Sequence, residues 1–163
     1  MNIVVIFWLQ LVASLFVAGV VAVWYVAPRL MKMPIGSALT LLLFVHVPRY
    51  VGMTLLVPTM VDPKVPAQFL FNAAYGDLVE AVLAFACIMV LRVNGQFAIP
   101  LVWIANIWGF LDLLNGVRGV VVLDIPRFDI ATFWYVYTFY APLVGVSHVM
   151  IFWALTKAKS WPA

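Results

Sequence analysis

Residues 68–92 read QFLFNAAYGDLVEAVLAFACIMVLR. A helix needs roughly 20 mostly apolar residues to cross a hydrocarbon core about 30 Å thick. This stretch is long enough, yet it carries Asp77 and Glu80 in its interior. So apolar a segment belongs in lipid, and two acids within it must face something other than lipid.

Four more runs of the same kind surround it. They cover about residues 2–27, ended by Pro28 and Arg29; 35–57, bounded by Pro34 and Pro58; 99–119, opening at Ile99-Pro100; and 130–156. Between them lie a stiff loop with Pro58, Pro63 and Pro66, the turn Val93-Asn94-Gly95-Gln96, and a segment with Asp124, Pro126, Arg127 and Asp129. Such residues discourage helix. The expected fold is an all-α integral membrane protein, a five-transmembrane-helix bundle in one domain, residues 1–163.

Composition agrees. The chain is 67% apolar and 9% charged, against roughly 45–50% and about 25% for soluble domains. A soluble fold of this size has too much surface per volume to hide so many apolar side chains. The first run lacks a basic leader and exceeds the ~7–15-residue core of a signal peptide, so it reads as a retained span. Cys87 is the only cysteine, which excludes an intrachain disulfide and a cysteine-based metal cluster within one chain.

Charge sets the expected orientation. Arg29, Lys32, Arg92, Lys157 and Lys159 fall on one side of the five-span topology with no acid among them. On the other side Lys64, Arg118 and Arg127 are diluted by Asp62, Asp124 and Asp129. By the positive-inside rule the first side is cytoplasmic, with the N-terminus outside and the C-terminus inside. Trp8, Trp103, Trp134, Trp153 and Trp161 lie towards span ends, as an aromatic belt would. The net charge of +3 is spread singly over span ends, so no nucleic-acid surface is expected.

The residues that carry chemistry share one depth. Counting about 1.5 Å per residue from the cytoplasmic ends puts His46, Arg49, Asp77, Glu80 and Asp112 roughly 16–22 Å deep. His46 and Arg49 are spaced i,i+3, as are Asp77 and Glu80, so each pair shares a helix face. Asp112, Asn115 and Arg118 repeat that spacing towards the outer surface, with Asn106 deeper on the same span. Pro48 and Pro142 fall at the same level and would free the carbonyls of Phe44 and Thr138. Freed carbonyls at membrane depth are tolerated where protein or a water-filled cavity meets them. Three carboxyls stand against one guanidinium, so Arg49 is expected to pair with a carboxylate and at least one of Asp77, Glu80 and Asp112 to hold a proton.

The leading expectation is therefore an intramembrane polar cavity, formed mainly by spans two to five and opening outwards. It would bind a lipophilic or cationic small molecule. Arg49 would set the ion-pair geometry, and Asp77 and Glu80 would meet the ligand or exchange protons. His46 would donate or accept, and Asp112 and Asn115 would line the entrance. Both a binder and an enzyme doing acid–base chemistry fit this pattern. A proton-coupled transporter or channel unit is the alternative, although residues 81–91 offer only Cys87 as a polar group. A further alternative makes His46 and His148 the axial ligands of a haem, since two imidazoles on different helices lie at similar depth. No other cofactor and no metal motif is read: HExxH, phosphate-binding glycine loops and GxSxG are absent. The expected partners are the lipid bilayer and a small lipophilic ligand. The small-residue stripe Ser14, Ala18, Ala22 suits close helix approach, either within the chain or between two copies in a homo-oligomer.

Overall fold

The computed structural model describes residues 2–158; Lys159 and Trp161, used above for orientation and the aromatic belt, lie outside the described residues. Among those residues there is no strand, and five helices are long and apolar enough to cross a membrane. They are α1 (Ile3–Leu30), α2 (Ile35–Leu56), α3 (Ala67–Arg92), α4 (Ala98–Val122) and α5 (Phe133–Thr156). A short 3-10 turn, Ile125–Arg127, leads into α5.

Three of the five change geometry around a proline. A proline lacks the N–H that its turn needs and crowds the preceding carbonyl. In α1 the expected stop at Pro28 does not occur. A π-turn, Ala22–Val26, absorbs the mismatch and helix resumes over Ala27–Leu30, where the Arg29 side chain donates to the Tyr25 carbonyl at 2.7 Å. In α5 the same device precedes Pro142: Val136–Tyr140 is a π-turn, closed by Ala141 N–H on the Val136 carbonyl. Single π-turns are the usual way to carry an irregularity inside an otherwise regular helix.

The second helix departs further from expectation. It is α-helical only over Ile35–Leu43, turns at residues 44–46, and runs as a 3-10 helix from Val47 to Leu56. Ten residues is long for a form that rarely exceeds 3–4, and the tighter coil adds roughly 5 Å of length over an α-helix. Its three-residue repeat explains which side chains turn inward. His46, Arg49, Gly52 and Leu55 are all buried, each three positions after the last. Side chains of α5 donate to two carbonyls around the break. Ser147 Oγ donates to Leu42 O at 3.0 Å and Tyr140 Oη to Val45 O at 2.6 Å. The acceptors are thus Leu42 and Val45 rather than Phe44, because the α-helix ends before Pro48 is reached.

The 3-10 half of α2 packs along α3, which also packs on α4, while α5 meets α2 and α4 and closes the group. Helix α1 lies outside this group, against α5. Its stripe Ser14, Ala18, Ala22 is half-buried to buried, whereas Leu15, Phe16 and Val17 are exposed. Of this stripe, Ala22 belongs to a buried apolar cluster within the chain. At the end carrying Asn2 and the α2–α3 and α4–α5 loops, Phe7, Leu55, Val120, Ile125 and Phe133 form one apolar cluster. At the far end Leu39, Leu43, Ala84, Ile88, Val102 and Ile151 belong to a second. The ionisable residues occupy the layer between the two.

Candidate functional site

Arg49 is the centre of that layer and is only 4% exposed. Its Nε donates to Asp77 Oδ1 at 2.7 Å and one terminal nitrogen to Asp112 Oδ2 at 2.6 Å. The other terminal nitrogen reaches the Gly109 carbonyl at 3.3 Å and stands 3.5 Å from His148 Nε2. One guanidinium therefore ties α2 to α3, α4 and α5. Its planar fork of five donors suits this better than an ammonium would.

Each carboxylate sits over a glycine of the neighbouring helix. A Cβ added to Gly52, Gly76 or Gly109 would fall within 3.0 Å of the side chain of Asp77, Asp112 or Glu80 respectively. The glycines make room for carboxylates where helices cross, as small residues do between membrane helices. Neither their role nor that of Ser147 is legible in the sequence, because no local pattern shows which residue of one helix faces which on another.

The structure divides the sequence-derived residues into two groups. The first borders a cavity of about 380 Å³ at the N-terminal end of the bundle, lined by residues from all five helices. Arg49, Asp77 and Asp112 form its polar floor and Asn115 lies on its wall, among largely apolar neighbours such as Phe7, Leu55 and Phe133. Asp77 and Asp112 are partly open, at 24% and 17% exposure. Tyr137 also lines the cavity, and its buried hydroxyl has no hydrogen-bond partner among the described residues.

The second group is closed off from that cavity. His46, Glu80 and His148 are each at most 1% exposed, and none lines it. His46 Nδ1 lies 3.7 Å from Glu80 Oε1, and the two imidazoles lie with ring centroids 4.2 Å apart. Bis-histidine haem ligation places a macrocycle between the two imidazoles. Rings this close leave no room for one, so these residues as they stand do not fit a haem.

No curated protein and no solved structure matches this chain. Residues 6–156 match a family described as a domain of unknown function (DUF8737), and the chain belongs to that family.

Proposed function

We propose that the chain is a five-span membrane protein that binds a lipophilic small molecule bearing a cationic head group. The cavity at the N-terminal end of the bundle is its binding site. With the N-terminus outside, as the distribution of basic residues favours, that cavity opens in the outer half of the bilayer. The supporting observation is the contrast between its walls and its floor. About 380 Å³ falls within the usual range for small-molecule sites, and apolar walls with a few convergent polar groups are their usual make-up. At the floor two carboxyl groups share one guanidinium, and with both ionised one negative charge is left facing the cavity. A cation entering there replaces water around a carboxylate with a charge-assisted hydrogen bond. Tyr137 Oη offers a further polar contact.

The reading is a binder. His46 and Glu80, the acid–base pair that the sequence suggests, do not reach a molecule held in this cavity. The apolar cluster around Leu43, Ala84, Val102 and Ile151 fills the far half of the bundle, where a transporter would need a polar path.

Binding of a fluorescent hydrophobic amine to the detergent-purified protein, compared with its uncharged isostere, tests this directly. The amine is expected to bind the wild type at least about tenfold more tightly than the isostere, the scale of one hydrogen bond to a charged group. Asp112→Asn, which keeps the shape of the floor and removes its excess charge, should erase that preference. Equal binding of amine and isostere to the wild type, or an undiminished preference in both Asp77→Asn and Asp112→Asn, would sink the proposal.

A further inference from the structure

The second group of residues has a geometry that the cavity does not use. His46, Glu80 and His148 can each offer one ligand atom such that all three lie within 4.8 Å of one another. We infer that they form a binding site for one divalent first-row transition-metal ion, buried in the middle of the bundle beneath the floor of the cavity.

The hydrogen bonds around the two histidines carry this inference. The Ser147 hydroxyl has one proton and donates it to Leu42 O, so its oxygen accepts from His46 Nε2–H at 3.1 Å. The lone pair of His46 is then on Nδ1, the atom that points at Glu80. Asn106 is oriented in the same way. Its Nδ2 donates to the His148 carbonyl at 3.3 Å, so its Oδ1 accepts from His148 Nδ1–H at 2.8 Å. The lone pair of His148 is then on Nε2. Metal-bound histidines characteristically donate their second ring N–H to a fixed acceptor, which sets the tautomer and aims the other nitrogen at the metal. Here both do so, each onto a buried partner.

One polar atom at the site and one other oxygen of its carboxyl group lack partners. His46 Nδ1 and Glu80 Oε2 are buried without a hydrogen bond among the described residues. Buried polar atoms are nearly always satisfied, and the unpartnered His46 Nδ1, aimed at the Glu80 carboxyl group, calls for an occupant. Ligand atoms around a four-coordinate ion stand roughly 3–3.5 Å apart, given bonds of about 2.0–2.2 Å. The 3.7 Å between His46 Nδ1 and Glu80 Oε1 is close to that, and shifts of under about 1 Å per ligand bring all three into range.

The charge of the layer is compatible with such an ion. With neutral histidines and ionised acids, Asp77, Glu80 and Asp112 against Arg49 leave a net charge of −2 in the layer. Such an excess is expensive in a low-dielectric interior. A proton on one acid relieves it in part, and a divalent cation cancels it with all three ionised. Arg49, whose terminal nitrogen stands 3.5 Å from His148 Nε2, keeps its bonds to Asp77, Asp112 and Gly109 O when the metal takes that lone pair. Two imidazoles and one carboxylate suit zinc, iron, cobalt or manganese rather than calcium or magnesium, which prefer all-oxygen shells. The ligands come from α2, α3 and α5, too far apart in sequence to form a motif.

The test is a titration of untagged, chelator-treated protein in detergent with Co²⁺, read by visible absorption and by the thermal unfolding midpoint. One Co²⁺ per chain is expected to saturate the visible ligand-field bands of imidazole–carboxylate coordination, and to raise the midpoint, since an ion bound only by the folded state stabilises it. Asn106→Ala keeps all three ligands and is expected to weaken binding by about 10–100-fold. Glu80→Gln should abolish the bands. Wild-type protein with neither bands nor a raised midpoint would overturn the inference. So would wild-type affinity in both variants.

Discussion

Arg49→Leu is expected to destabilise the protein by about 3–5 kcal/mol, the usual cost of removing one partner from a buried ion pair. That is a large part of the roughly 5–15 kcal/mol that holds a domain together. The cost arises from what remains. Asp77 and Asp112 keep their places over Gly52 and Gly76 but lose the charge that made those places tolerable. Thermal or denaturant unfolding in detergent reads the effect. The combined variant Arg49→Leu, Asp77→Asn, Asp112→Asn should recover most of the loss, because the two carboxylates that Arg49 pairs are removed together with it. A single substitution that proved neutral would mean that the guanidinium is not the tie between α2, α3 and α4. Arg49→Lys should fall between, since an ammonium cannot span both carboxylates in one plane.

The second large effect is a change of sign among glycines. Gly76→Ala and Gly109→Ala each drive a methyl group into a carboxylate, at Asp112 and Glu80. Overpacking of this kind typically costs about 1–3 kcal/mol. Gly19→Ala and Gly116→Ala meet nothing within 4 Å. They should instead stabilise by roughly 0.5–1 kcal/mol, the ordinary gain from replacing a glycine inside a helix. The four variants differ only in what the methyl group meets. Unfolding midpoints that moved the same way in all four would contradict the seating of acids on glycines.

The helices were legible because their signals are local. Twenty-odd apolar residues bounded by proline and charge announce each run, and every run that the sequence suggests corresponds to a helix of the required length. Two boundaries differ from the sequence reading. Pro28 is carried inside α1 by a π-turn, and α5 starts at Phe133 rather than near Ile130. The polar layer was also legible in outline, since ionisable residues at membrane depth must gather. Its internal organisation was not. The spacing of His46 and Arg49 suits an α-helix as well as a 3-10 helix, and only the burial of Gly52 and Leu55 in the same register distinguishes them. Depth counting put His148 near His46 but could not tell that Asn106 and Ser147 would hold their ring nitrogens. Nor could it separate Glu80, sealed beside His46, from Asp77, which opens on the cavity three residues away.

The central claim is that a cavity reaches from the N-terminal side of the membrane down to the Arg49 network. Single cysteines in a Cys87→Ala background, probed in proteoliposomes with a membrane-impermeant maleimide, test it most directly. Ala73 lines the cavity one turn above Asp77, while Tyr75 lies at nearly the same depth with its side chain exposed on the outside of the bundle. Reagent added on the N-terminal side is predicted to modify Ala73→Cys and to leave Tyr75→Cys, on the outer surface of the bundle, unmodified. Modification of both or of neither, or of Ala73→Cys only from the opposite side, would contradict the account.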